Sequence, residues 1–161
     1  MGAIQNPDVV QLCPAFPDRE ALYFKEIFVS DTFKIPEEKP DKEQIVNVNT
    51  SVDLVDVQTI EVELPDGETG EKVFTAGNIY LDVQYSSTRE TQTVHFVRYQ
   101  LPFQTYIVTD CGDLITEGEL PDDYVVHVCI EKMLEEQIDE RTINFELLLL
   151  VWVEDATPPV Q

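Results

Sequence analysis

His127 and Cys129 stand two residues apart in "YVVHVCIEKML", so in a strand their side chains share one face. An imidazole beside a thiolate is half of a zinc site, which takes four such ligands. The other two would have to come from His95, Cys13, Cys111 or the acids, and none falls at a usual ligand spacing. Both histidines lie in alternating segments, where a packed or solvated ring is the expectation. No G-x-S-x-G elbow and no glycine-rich phosphate loop is present, so neither a nucleophile nor a phosphate cradle is indicated. The acid clusters Asp66, Glu68 and Glu71 in "LPDGETGE" and Asp110 and Asp113 in "TDCGD" miss the spacing of a calcium loop and read as solvated faces. "NTS" at Asn49–Ser51 matches a glycosylation acceptor and reads as chance. The expectation is a non-enzyme with no catalytic residue, no metal and no cofactor.

The cysteines carry a different chemistry. There are three, so they cannot all pair within one chain. Cys129 reads as a buried strand residue and Cys111 as exposed in an acidic loop. Cys13 lies in an opening segment, "MGAIQNPDVVQLCPAFPDRE", with the apolar residues Ile4, Val9, Val10, Leu12 and Phe16. A floppy leader is one reading of residues 1–20. The sharper one is an assembly arm that adds to a neighbour's open sheet edge or cleft. Such a contact joins two different surfaces and propagates head to tail as a filament or lattice. Cys13, Cys111 and Cys129 are then the candidates for intersubunit disulfides.

The charge narrows the partners. Thirty-two acids against ten bases leave a net charge of -22, which excludes phosphate-driven nucleic-acid binding and disfavours anionic membranes. The longest apolar run, Leu147–Val153, is far short of the roughly 20 residues that span a bilayer. The opening lacks the pattern of a secretion signal, so the expectation is synthesis in a cytosol.

These residues need strands to hold them. "FKEIFVSDTF", "IVNVNTSVDLVDVQTIEVEL", "KVFTAGNIYLDVQYS", "TQTVHFVRYQLPF", "QTYIVT", "YVVHVCIEKML" and "RTINFELLLLVWVE" are rich in β-branched and aromatic residues or alternate. Val46, Val48, Val52 and Leu54 share one phase while Val55 and Val57 share the other, which suggests a bulge. Pro102 marks a break or an edge. "CIEKMLEEQIDE" admits a short helix, but a hairpin is preferred. The expected fold is all-β: a β-sandwich or Greek-key-like domain of about seven or eight strands over residues 21–155, with an N-terminal arm over 1–20 and a tail over 156–161.

The order of landmarks resembles the SPOCS domain of sporulating Firmicutes. The pieces are "IPEEKPDKEQI", the strand from Gly77 to Tyr85, the Pro102-Phe103 step and the closing "RTINFELLLLVWV"; together they cover about Leu22–Glu154. The resemblance implies an all-β interaction domain of spore-envelope assembly without a known catalytic set. The LysM module that accompanies the domain in a coat-morphogenesis member is missing from this sequence. Joined to the arm, this gives the expectation of a spore-surface building block that polymerises with itself after synthesis in the mother cell. The alternative is a monomeric adaptor for another spore-envelope protein.

Overall fold

A computed structural model describes residues 21–87 and 94–157. Six strands form two antiparallel three-stranded sheets: β1 (Ala21–Lys34), β6 (Thr142–Asp155) and β5 (Tyr124–Asp139) in one, and β2 (Lys42–Glu63), β3 (Thr69–Ser87) and β4 (Val94–Ile107) in the other. The all-β expectation holds, and no helix occurs among the described residues. The strand count, expected at seven or eight, is six among the described residues, because the proline expected to mark a break or an edge leaves its strand continuous. Pro102 pairs with Asn78 inside β4, which is an edge strand and so has no partner on its other side. The bulge expected from the phase change near Val55 is present, as a register shift between Leu54 and Asp56 within a 22-residue β2. Val55 is the inserted residue and is 66% exposed. A second shift between Ile45 and Asn47 turns Val46 outward. The segment open to a helix is β5, paired with β6 throughout.

The two sheets share a core. Ile79, Leu81, Val83 and Tyr85 of β3 face Ile143, Phe145, Leu147 and Leu149 of β6, all at most 1% exposed. Burying each such side chain contributes about 1.5–3 kcal/mol. The alternation is strict, so every second residue of β3 and β6 must point away from this core. Gly77 sits where the β2 bulge presses closest. A Cβ there would stand 2.4 Å from the Asp53 carbonyl oxygen and 3.0 Å from Phe103. The glycine that opens the "GNIYLDVQY" run is therefore demanded by close approach of backbone.

Candidate interaction surfaces

One end of the sandwich is tied by the connector between the sheets. Residues 35–41 leave β1 and enter β2, and Arg141 in the β5–β6 turn gathers them. Its guanidinium donates to the carbonyls of Ile35 (3.0 Å), Pro36 (2.6 Å) and Lys39 (3.1 Å) and to Asp41 (2.6 Å). The Ile35 N–H donates to the Arg141 carbonyl and the Lys42 N–H to that of Glu140. The Lys42 ammonium donates to the Asp139 carbonyl. From the core, Tyr85 and Tyr99 donate to the carbonyls of Pro40 and Lys34 at 3.0 and 3.1 Å. Burial pushes the Tyr99 hydroxyl up to about 12. The proline-acid step thus serves as a fastening, with its backbone acceptors satisfied from two sides.

The outward face of the β1–β6–β5 sheet is apolar. Phe24, Trp152 and His127 form one row across it, and Glu26, Leu150 and Cys129 the next. Phe24 and His127 both stack on Trp152, with ring centres 6.2 and 4.6 Å apart. His127 Nε2 lies 2.8 Å from the Glu154 carboxylate, which is fully buried. Phe28, on the edge strand, is 84% exposed. Glu131 occupies the bulge between Ile130 and Lys132. Burial holds its carboxyl above the ordinary range, and the nearby Glu26 carboxylate raises it further.

The other outward face is polar. Arg98 on β4 grips Asp82 on β3 with two bonds of 2.6 and 2.9 Å, and Gln100 donates to Asn78 at 2.9 Å. The hydrogen bond from Arg98 holds the Asp82 carboxyl below its ordinary range. Beside this face runs β2, an edge strand among the described residues. It carries Glu43, Asp53, Asp56, Glu61 and Glu63, with Val46 and Val55 projecting from its bulges. On the β1/β4 side the sheets are joined by Lys25, which donates to the Tyr106 carbonyl at 2.9 Å. Across β2 and β5, Thr59 meets Tyr124 at 2.7 Å near one end.

The residues singled out from the sequence are scattered. Cys111 is exposed on the turn closed by Gly112, whose φ is 86°. Cys129 is buried in β5, on the outward face shared with His127. Asp66 caps the β2–β3 turn by accepting the Glu68 N–H, while Glu71 pairs with Ile115 through the backbone. His95 stacks on Tyr85, with ring centres 5.6 Å apart. Among the described residues no three of His, Cys, Asp and Glu converge to hold a metal ion. Ile4, Val9, Val10, Leu12, Cys13 and Phe16 lie outside the described residues. Arg141 and Trp152 were not anticipated. Trp152 had a visible signal, since it stands in the opposite phase from Leu147, Leu149 and Val151. Arg141 had none, because three of its partners are backbone carbonyls and the fourth, Asp41, is likewise about a hundred positions away.

The described residues thus form a sandwich with a tied connector, an acidic edge strand and one apolar outer face. The family model described as "SipL, SPOCS domain" matches residues 41–133, more than half of the chain. The chain belongs to this SPOCS-domain family, which associates it with the spore coat and envelope. Comparison with curated proteins and with solved structures finds no match.

Proposed function

We propose that this chain is a non-catalytic structural domain of the spore envelope that binds another envelope protein along the β2 edge. The observation that carries this is the edge itself: 22 residues long, with one side unpaired among the described residues and apolar residues projecting from its bulges. An unpaired strand edge accepts an added strand through its backbone N–H and C=O groups, with side chains selecting the partner. The acids along β2 repel a second acidic edge, so a chain of net charge -22 disfavours edge pairing with its own copies. A basic extended segment is the fitting partner. A lysine-rich peptide of alternating pattern is the probe: it should bind the full chain, weaken with salt, and lose affinity for Asp53→Lys/Asp56→Lys. Binding unaffected by that double change would overturn the reading.

The second reading is the self-assembling filament or lattice, built by an arm donated to a neighbour and locked by disulfides. The exposed thiol of Cys111 favours it, since a partner cysteine can reach it. Light scattering separates the two: the adaptor stays monomeric as concentration rises, whereas the polymer grows. A non-reducing gel of aerated protein that shows monomer alone would count against intersubunit disulfides.

A further inference from the structure

We infer that the middle of β1 is a docking window for a short extended segment of another protein, apolar at its centre and basic towards its ends. The inference concerns a different edge from β2 and does not rest on that reading. β1 is an edge strand among the described residues, and its register with β6 is constant from Tyr23 to Lys34. The backbone N–H and C=O groups of alternate residues therefore point to opposite sides of it. Bonds near its two ends identify the sides. The Phe24 N–H donates to Asp110 Oδ1 at 3.4 Å and the Thr32 N–H to Asp31 Oδ1 at 2.8 Å. The Lys34 carbonyl accepts from Tyr99 of β4, whereas the Ile35 N–H donates to the carbonyl of Arg141, just before β6. Even-numbered residues thus turn their backbone groups away from β6, and odd-numbered ones turn them towards it.

Between the two carboxylates the same set is unanswered. The N–H and C=O of Glu26, Phe28 and Ser30 have no partner on that side among the described residues. The Phe28 side chain is 84% exposed. Carboxylates blunt both ends of this edge, which leaves room for a short ladder at its centre. Phe24 and Thr32 are eight residues apart, about 27 Å, so the added segment pairs with residues 26–30. Phe28 calls for an aromatic residue opposite it, and the half-buried Ile27 and Val29 call for apolar ones. Glu26 and Asp31 call for cations, since Lys25 is already engaged with the carbonyl and ring of Tyr106. A second copy would bring a further charge of -22 to the same edge, so the occupant is a segment of a different protein.

The probe is the end-blocked peptide Lys-Thr-Val-Phe-Val-Lys-Thr. Run antiparallel, it sets its phenylalanine opposite Phe28 and its lysines opposite Asp31 and Glu26. Isothermal titration should show it binding the full chain, more weakly as salt rises. Phe28→Pro should abolish binding, because it removes the central donor while costing β1 no bond to β6. Phe28→Ala removes the ring alone and should weaken binding about two- to fivefold, the range of a cross-strand pair. Should Phe28→Pro fail to fold, the peptide backbone reads the same ladder. An N-methyl group on its phenylalanine should abolish binding, and one on either valine should leave it, since the valine N–H groups point away from β1. No binding, equal binding to folded Phe28→Pro, or equal effects of the two methylations would overturn the inference. Displacement by the lysine-rich probe would place the peptide on β2 and overturn it too. So would dimers of the protein alone that Phe28→Pro dissolves, which would assign the window to a second copy.

Discussion

β3 and β6 are each the middle strand of a three-stranded sheet, and their inward faces are equally apolar, yet their outward faces differ in kind. β3 presents Asn78, Tyr80 and Asp82 to water, each answered by a polar or cationic group on β4. β6 presents Leu148, Leu150 and Trp152, flanked by Phe24, Phe28 and Cys129. The difference teaches that this sandwich has one polar outer side and one apolar outer side. An antiparallel sheet facing water alternates apolar and polar residues. β3 obeys that rule, whereas "LLLLVWV" in β6 has the continuous apolar run of a strand buried on both faces.

The comparison is broken most directly at Trp152. If its side chain is covered, Trp152→Ala should cost about 3–5 kcal/mol, the price of a large core side chain. Tyr80→Ala, at a matching position on β3, should cost less than about 1 kcal/mol, as surface changes do. Urea unfolding of the two variants decides it, and similar losses would mean the two faces are equivalent. Gly77→Ala comes next, at about 2 kcal/mol, near the middle of the usual penalty for forcing atoms into a packed site. It sharpens the comparison because it strains β2 against β3 without touching the other sheet. Trp152 emission should stay unchanged before unfolding begins.

Much of this was legible in the sequence, for physical reasons that differ by element. β3 and β6 announced themselves through unbroken alternation or apolar run, because their inward residues meet the core at every second position. The β2 bulge was readable from the phase change at Val55, and the turn at Asp66-Gly67 from its chemistry. The number of strands was not, since a proline such as Pro102 ends a strand in some settings and is absorbed in others. An edge strand loses no ladder bond at a proline, and that depends on which neighbour is missing. Nor was the Arg141 fastening legible, because carbonyl acceptors leave no mark in side-chain identity. His127 and Cys129 were correctly placed on one face. Their companion Glu154 was invisible because it comes from the next strand.

Alkaline pH probes the tied end that both sheets share. Burial raises the Tyr99 hydroxyl, so the folded protein keeps that proton after the unfolded chain has begun to lose it. Its contribution is complete below about pH 10 and is lost as pH rises through about 12. Tyr99→Phe should flatten the fall in stability across that window. At neutral pH it should cost about 1 kcal/mol, since the Lys34 carbonyl loses its donor. An unchanged alkaline slope would mean that Tyr99 ionises as freely folded as unfolded.

The smallest expected effect separates the two outward faces by sign. Asp82, on the polar face, has its carboxyl lowered by the hydrogen bond from Arg98. That contribution is present above the ordinary aspartate range and fades as pH falls through the lowered value. Glu131, on the apolar side, has its carboxyl raised by burial and by Glu26. Its contribution is full below the ordinary glutamate range and fades as pH rises through the raised value. Glu131→Gln should therefore give a small gain at neutral pH and none in acid, while Arg98→Ala should give a small loss at neutral pH that vanishes in acid. Two unfolding series from pH 3 to 7 read both slopes. If the slopes shared one sign, the carboxylates on the two faces would lie in like surroundings, and the contrast between a polar side and an apolar one would fail where it is most finely drawn.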